Sequence, residues 1–491
     1  MFDKLLRLGK ETAIYGLSSI LGRLINFVLA PFYTNVLLTT ENGVVAYIYA
    51  YIAFAYVVYC YGFEIAYMRY VSTLEIGDRK QNFSTPFLSL LATSVTLSSL
   101  IHIFSGTIAG WLSIPAQDSV LIRYAAWILC FDTLSVVPFA SMRMDQQPKT
   151  FAALKLFNIS LTVALNLVLI LAVHMRAEGV FLANLIGSIA TFLLTFAVVR
   201  SKFVPTFSTK LFRELLKYGL PLIPSGLAGM ALQIVDRPIV KALTNEGTLG
   251  IYQLNYRLGI AMMLIVGMFD YAWRPFFLTN AREPNARQLF AKVFTYFILA
   301  LLLMFLAVSF FVDDLVRVEV FGKHFFHPDY WVGTGIVPWI LLAYVFNGAY
   351  VVFIAGAYLE KKTKHLPLVT GLGAAVNVGV NFLLIPPMGI MGAALATLAS
   401  YAVMAVTMYF TSQRFYRIDY EWGKIVAIIA ATTVAFICYK LIGPAPLDFA
   451  GELIKIGLIL GFVGSLPLLG VVKKSDLESV RRAVLEKLNR S

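Results

Sequence analysis

Long apolar segments, separated by short polar breaks, follow one another along almost the whole 491-residue chain. A helix needs about 20 mostly apolar residues to cross the hydrocarbon core of a bilayer. Segments of that length predict an all-α polytopic membrane protein with about fourteen transmembrane helices. The predicted spans are 12–37, 43–68, 84–111, 119–142, 151–173, 178–199, 218–241, 248–273, 290–312, 332–358, 367–386, 390–412, 422–441 and 452–472.

Composition agrees with a protein surrounded by lipid. Hydrophobic residues make up 59% of the chain and charged residues only 14%, whereas a soluble domain carries about 25% charged residues. The first apolar segment follows Lys4, Arg7 and Lys10, but it is far longer than the core of a signal peptide, so we predict a membrane span. The three cysteines and five histidines have no metal-ligand spacing, and we predict neither a metal site nor a cofactor.

Basic residues are distributed unevenly between the two sides of the predicted bundle. Most of the 40 Lys and Arg lie in the terminal segments and in alternate loops. The opposite loops hold only Arg176, Lys241, Arg317, Lys323 and Lys440. The positive-inside rule therefore places both termini on the cytoplasmic side. We expect the protein to lie in an inner membrane. The net charge of +13 reflects this orientation rather than nucleic-acid binding.

Short sequence matches between the two halves indicate an internal repeat. Tyr15-Gly16-Leu17 recurs as Tyr218-Gly219-Leu220, and the segment 165–170 resembles 380–385. Each repeat contains six spans, an even number, so both copies enter the membrane from the same side, as in a parallel repeat. Two six-helix lobes of this kind can rock about a central cavity, which is typical of a transporter.

The repeat predicts the domain organisation. We expect an N-terminal six-helix lobe at 1–205, a C-terminal six-helix lobe at 206–418 and two additional transmembrane helices at 419–472. Residues 473–491 are predicted to form an amphipathic helix on the cytoplasmic surface. The loops are too short to hold a folded catalytic domain, and no catalytic motif is present, so we do not predict an enzyme.

Charged residues inside the spans identify a candidate binding site. A charge at the centre of a membrane helix costs about 2.5–3.5 kcal/mol to insert, and such groups usually face a cavity or each other. Arginine presents a planar fork that matches phosphate oxygens, so mid-membrane arginines predict an anionic cargo. The candidate ligands of an anionic headgroup are Arg23, Arg123, Arg237 and Arg257.

Acidic and neutral polar residues extend this candidate site. The candidates for proton or cation coupling are Glu64, Asp132 and Asp270. The candidate polar residues of the cavity are Asn26, Gln233, Gln253, Asn166 and Asn381. Two alternatives to a place in the cavity remain open for these charged and polar residues. They can join neighbouring helices by hydrogen bonds, or their side chains can extend to the headgroup region.

Several motifs resemble those of bacterial polysaccharide transporters. The run from Lys217 to Pro224, with Gly219 and Pro221, leads to Val235-Asp236-Arg237. The segment 375–397 reads AVNVGVNFLLIPPMGIMGAALAT. The chain resembles the O-antigen and exopolysaccharide flippases of the multidrug/oligosaccharidyl-lipid/polysaccharide (MOP) superfamily.

The resemblance implies a MATE-like fold and a flippase that moves undecaprenyl-diphosphate-linked oligosaccharide across the bacterial inner membrane by alternating access. It also implies a proton or sodium ion as coupling ion, and membrane lipids as surroundings. We expect a monomer that works near a polysaccharide polymerase and glycosyltransferases. The alternatives are a cation-coupled drug or toxin antiporter and a lipid II flippase of the same superfamily.

Overall fold

The computed structural model of the chain describes residues 29–281, 283–320, 322–442 and 449–471. In this part of the chain, thirteen helices are long and apolar enough to cross a membrane. Each of them overlaps one of the predicted spans from the second to the fourteenth, so the all-α polytopic fold is confirmed. The first predicted span lies mostly outside the described residues, as does the predicted tail at 473–491.

The helices of the first half are α1 Ala30–Val36, α2 Thr39–Cys60, α3 Phe63–Thr73, α4 Arg79–Ile103, α5 Ser105–Trp111, α6 Ser119–Leu134, α7 Val136–Met144, α8 Pro148–Leu167, α9 Arg176–Val199, α10 Thr209–Gly219, α11 Ile223–Ile234 and α12 Asp236–Leu243. The later helices are α13 Glu246–Tyr256, α14 Ile260–Asn280, α15 Ala286–Arg317, α16 Val337–Leu359, α17 His365–Met388, α18 Ile390–Phe415, α19 Trp422–Ile442 and α20 Phe449–Leu468. Short 3₁₀ segments are Ala116–Asp118, Arg200–Lys202, Leu220–Leu222, Arg257–Gly259 and Pro328–Ile336, and Val168–Ala172 forms a π-helical turn.

Only one pair of strands occurs in the described residues. Glu319–Val320 pairs antiparallel with Lys323–His324 in the loop after α15. This hairpin is two residues long on each side, and it adds no layer to the helical architecture.

Contacts divide the chain into two compact units. The first contains the described residues up to Ile260, together with Phe326–Gly333 and Thr370–Ala396. The second contains Ala261–Phe325, Thr334–Val369 and the described residues from Thr397 onward. The lobes predicted at 1–205 and 206–418, with two additional helices at 419–472, rest on the sequence repeat and stay a prediction.

Two close crossings hold α2 within the first unit. Near its start, a Cβ atom added to Gly250 of α13 would lie 2.0 Å from the carbonyl oxygen of Thr39. Beyond its end, a Cβ atom on Gly62 would lie 2.5 Å from the carbonyl oxygen of Gly219. Gly62 also has a φ of +75°, which a residue with a side chain adopts at a cost. Glycine therefore allows backbones to touch at both ends of α2.

A loop residue joins the helices at the Gly250 crossing. Tyr330 is 1% exposed, and its hydroxyl accepts a 2.6 Å hydrogen bond from the side chain of Asn42 on α2. The Asn255 side chain of α13 donates a 2.8 Å hydrogen bond to the Tyr330 carbonyl. The segment Phe326–Gly333 is thereby fixed to both helices.

The Gly250 crossing generates a stability prediction. Replacing Gly250 by Ala forces a Cβ atom into the Thr39 carbonyl, and overpacking of this kind costs about 1–3 kcal/mol. The matched control is Gly229→Ala in α11, where a Cβ atom would meet nothing within 4 Å. Alanine there should gain about 0.5–1 kcal/mol from its higher helix propensity. Melting temperatures of the purified variants should fall for the first change and not for the second; equal melting temperatures would contradict the close crossing.

Candidate functional site

Two polar cavities lie within the first unit. The first, of about 390 Å³, is called here the arginine cavity, and its lining includes Tyr33, Tyr49, Asn166, Asn184, Arg237, Gln253 and Arg257. The second, of about 380 Å³, is called the mixed-charge cavity, and its lining includes Tyr56, Glu64, Asp132, Arg143, Lys155, Asn158, Asn184, Ser188 and Thr191.

Helix α2 runs along both cavities between its two glycine crossings. Tyr49 lines the arginine cavity, and Tyr56, two turns further, lines the mixed-charge cavity. Asn184 of α9 lines both, and its side-chain amide donates a 2.7 Å hydrogen bond to the Tyr49 hydroxyl. The two cavities are therefore neighbours that meet at Asn184.

Arg237 is held in place by several hydrogen bonds. Its Nε donates to Gln253 Oε1 at 2.7 Å, and Nη1 donates to the Gln233 carbonyl at 2.5 Å and to Asp236 Oδ1 at 3.1 Å. Its guanidinium also lies 5.1 Å from the ring centre of Tyr256. Asp236 and Arg237 are 2% and 8% exposed, so they form a buried ion pair at the start of α12.

Arg257 differs from Arg237 in its partners. It begins the 3₁₀ turn Arg257–Gly259 that interrupts the span between α13 and α14. It lines the arginine cavity, with Arg237 and the phenol groups of Tyr33 and Tyr49 as electrostatic neighbours. In the part of the chain that the structure describes, the side chain of Arg257 forms no hydrogen bond and no ion pair. Its donors are therefore available to a ligand in the cavity.

Neutral polar side chains form another part of the lining of the arginine cavity. The Tyr33 hydroxyl donates a 3.1 Å hydrogen bond to Asn166 Oδ1, and the Asn166 amide donates to the Thr162 carbonyl at 2.8 Å. Thr162 also lines this cavity, and its buried hydroxyl has no hydrogen-bond partner among the described residues. The wall thus offers polar groups but no negative charge.

The mixed-charge cavity contains two acidic and two basic side chains. Glu64 of α3 and Arg143 of α7 form an ion pair. Lys155 of α8 lies with its amine 4.3 Å from the ring centre of Phe139. Among the described residues, neither Lys155 nor Asp132 forms an ion pair within 4 Å. The formal charges of the four groups cancel.

The structure brings together some of the predicted site residues and not others. Arg237, Arg257, Gln253 and Asn166 line the arginine cavity, and Glu64 and Asp132 line the mixed-charge cavity. Gln233 contributes its carbonyl to Arg237, but its side chain is exposed. Arg23 and Asn26 lie outside the described residues.

Three other predicted residues are not part of the lining of either cavity. Arg123 is exposed, and its Nε donates a 3.0 Å hydrogen bond to Ser105. Asp270 belongs to the second unit and receives two 2.8 Å hydrogen bonds from Arg274, one turn away on α14. Asn381 is fully buried in α17 and donates a hydrogen bond to the Asn377 side chain at 2.8 Å.

Sequence reasoning missed Arg143, Lys155 and Asn184. Lys155 could have been found, because it continues the polar stripe of Asn158, Thr162 and Asn166 on α8 by one further turn towards the start of the helix. Arg143 lies one residue beyond the end of the predicted span 119–142, where a basic residue is expected at the cytoplasmic boundary. No group of three or more His, Cys, Asp and Glu residues that could hold a metal ion occurs in the described ranges.

Comparison with models of protein families shows which family the chain belongs to. Residues 8–281 match the family described as "Polysaccharide biosynthesis protein". The chain belongs to this family. It is thus a member of the MOP flippase superfamily, as the sequence motifs indicated. No curated protein sequence matches this chain.

Solved structures of flippases and transporters share the fold. A lipid II flippase, MurJ, in an inward closed conformation superposes with a TM-score of 0.73 at 16% identity, covering 93% of this chain and 99% of that one. An inward-facing multidrug resistance MATE family transporter gives a TM-score of 0.61 at 14% identity, with 82% and 97% covered. An outward-facing structure of such a transporter gives 0.57 at 13% identity, with 83% and 95% covered. At these identities the likeness concerns the fold alone.

The buried pair of this family member generates a second stability prediction. Replacing Asp236 by Ala leaves the Arg237 charge buried without its carboxylate, and breaking a buried pair in this way costs about 3–5 kcal/mol. The double variant Asp236→Asn/Arg237→Met removes both charges and should recover much of that loss. Thermal unfolding of the purified proteins measures both effects. A single variant as stable as the wild-type protein would contradict the buried pair.

Proposed function

We propose that this protein moves an undecaprenyl-diphosphate-linked oligosaccharide, an O-antigen or exopolysaccharide repeat unit, across the bacterial inner membrane by alternating access. The substrate passes from the cytoplasmic to the outer leaflet, and both termini of the protein lie in the cytoplasm. Membership of the polysaccharide biosynthesis family supports the class of cargo. The observation that carries the proposal is Arg257, a cation without an ion-pair partner in the described residues, on the wall of a polar cavity.

The charge balance of the arginine cavity favours an anionic cargo. Asp236 neutralises Arg237, whereas no carboxylate lies within ion-pair distance of Arg257 among the described residues. A guanidinium group in a membrane interior is costly unless it is paired or faces a polar cavity. Diphosphate oxygens match its planar fork and would supply the missing acceptors. A cationic drug would instead meet one net positive charge, which disfavours the antiporter alternative.

The proposed direction of transport agrees with the charge of the cargo, and the remaining partners complete the proposal. A negative-inside potential favours outward movement of an anion by about 2.3 kcal/mol per charge per 100 mV. A proton or sodium ion is the proposed coupling ion, and membrane lipids surround a monomer. The proposed neighbours in the cell are glycosyltransferases that build the repeat unit and a polymerase that consumes it. The protein itself is proposed to catalyse no chemical step.

Replacement of Arg257 tests the cargo. Arg257→Ala removes charge-assisted hydrogen bonds worth about 1.5–3 kcal/mol, so flipping should fall by about tenfold to a hundredfold. Arg257→Lys keeps the charge but loses the fork, and should retain intermediate activity. The measurement is the movement of labelled undecaprenyl-diphosphate-linked oligosaccharide to the outside of reconstituted vesicles.

The control for this test is an exposed arginine. Arg417 pairs with Asp419 on the surface and is 79% exposed, so Arg417→Ala should flip substrate at the wild-type rate. All variants should reconstitute in equal amounts. Wild-type activity in Arg257→Ala would refute the anionic cavity.

A disulfide tests alternating access. A Cβ atom on Gly226 of α11 would lie 4.0 Å from Cβ of Val57 on α2, which is within the range that a disulfide needs. The two helices belong to different predicted lobes. In a protein whose native cysteines are replaced by alanine, Val57→Cys/Gly226→Cys should form a disulfide and stop flipping, because α2 and α11 can no longer separate.

Reduction provides the internal control for the disulfide. A reductant should restore flipping in the double variant, while each single cysteine variant should be insensitive to oxidation. Undiminished flipping by fully oxidised protein would show that these helices do not separate during transport.

A further inference from the structure

The mixed-charge cavity is not used by the proposed recognition of phosphate. Side chains of six helices line this cavity: α2, α3, α6, α7, α8 and α9. Its formal charges cancel, since Glu64 and Asp132 are balanced by Arg143 and Lys155. A free anion or a free cation therefore gains little net attraction there. An uncharged ligand with many hydrogen-bonding groups fits this balance better.

Donors and acceptors at this cavity have unused capacity. Arg143 pairs with Glu64, but its buried Nε has no hydrogen-bond partner among the described residues. Asp132 and Lys155 face the cavity without an ion pair in the part of the chain that is described. Because a buried donor is normally hydrogen-bonded, Arg143 Nε calls for water or a ligand acceptor, and the nearby carboxylate of Asp132 and amine of Lys155 add an acceptor and a donor to the same wall.

Ordered neutral groups and aromatic rings form the rest of the wall. The Asn158 amide donates hydrogen bonds to Thr191 Oγ1 at 2.6 Å and to the Gly187 carbonyl at 3.1 Å, which orients its oxygen. Phe139 and Phe151 stand edge to face at 5.1 Å, next to Lys155. The lining is thus mostly polar, with aromatic surface at one place beside Lys155.

Asn184 determines how a ligand of this cavity relates to the arginine cavity. It lines both, so the two cavities share this wall residue. A ligand that reaches past the Asn184 side chain would place one part beside Arg257 and the other beside Asp132 and Lys155. A sugar joined to a diphosphate has this division: a charged end, and a neutral end rich in hydroxyl groups.

We propose that the mixed-charge cavity binds the sugar of the lipid-linked substrate while its diphosphate binds at Arg257. This inference rests on the proposed function, because it assumes that the arginine cavity takes the diphosphate. Lys155, Asp132, Arg143 and Asn158 are then the residues that select the sugar next to the phosphate. The sugar is recognised by its hydroxyl groups, and the cavity is large enough for only the first residues of an oligosaccharide.

Binding of two probes to the full-length protein in lipid nanodiscs tests the proposal. The probes are undecaprenyl diphosphate and undecaprenyl diphosphate carrying N-acetylglucosamine. The wild-type protein should bind the second more tightly. Lys155→Met and Asn158→Leu should weaken binding of the sugar-bearing probe about tenfold and leave binding of undecaprenyl diphosphate within twofold. Arg257→Ala should weaken both probes, and Arg417→Ala neither.

The outcomes separate this inference from the proposed function. If the wild-type protein binds neither probe, the proposed function fails. If it binds both equally, or if Lys155→Met and Asn158→Leu weaken both probes alike, the diphosphate site stands and the sugar site is refuted. A third variant, Asp132→Asn, keeps the size of the side chain and tests whether the cavity instead serves an ion. If it abolishes the response of flipping to a pH gradient and leaves the preference between probes unchanged, the cavity serves an ion and the inference is overturned.

Discussion

The cost of placing a charge within a membrane governs the first unit of this protein. Each charge there must be paired, or must face a polar space, because lipid offers no compensation. Asp236 with Arg237 and Glu64 with Arg143 follow the first solution. Arg257 follows the second, on the wall of the arginine cavity. The cavities are thus the reason that unpaired charges can be kept inside a bundle whose composition is otherwise that of a lipid-facing protein.

Interruptions of the helices occur where the charges are. The span of α2 and α3 breaks at Tyr61 and Gly62, just before Glu64, and the span of α13 and α14 passes into a 3₁₀ turn at Arg257. The span of α6 and α7 is interrupted at Ser135, which lines the mixed-charge cavity beside Asp132. Irregular backbone within a membrane is tolerated only where it is buried in protein or lines a polar space. Broken helices and buried charges therefore support the same location for a site.

The spans could be predicted because a long apolar segment indicates contact with lipid. A backbone that crosses lipid must satisfy its own hydrogen bonds, so few secondary structures are open to it. The direction in which each side chain points could not be predicted. Successive residues are about 100° apart around a helix, and the rotation of the helix about its axis depends on the helices packed against it. Arg123 and Arg257 both fall inside predicted spans, yet Arg257 lines the arginine cavity and Arg123 lines neither of the two cavities described. Asp270, a candidate for ion coupling, is paired with Arg274 one turn along the same helix, a contact that the sequence analysis did not consider. Pairing between distant helices, as for Glu64 and Arg143, leaves no local signal at all.

Neutralisation of one of the two arginines has a consequence for transport. A flippase must release its cargo in each cycle, so its site should not bind the diphosphate too tightly. Two unpaired guanidinium groups in a space of low dielectric would hold a diphosphate strongly. Asp236 cancels the charge of Arg237 but leaves its position fixed by Gln253 and the Gln233 carbonyl. On the proposed function, Arg257 then supplies the net attraction and Arg237 an oriented neighbour, an arrangement that favours selection of the phosphate without trapping it.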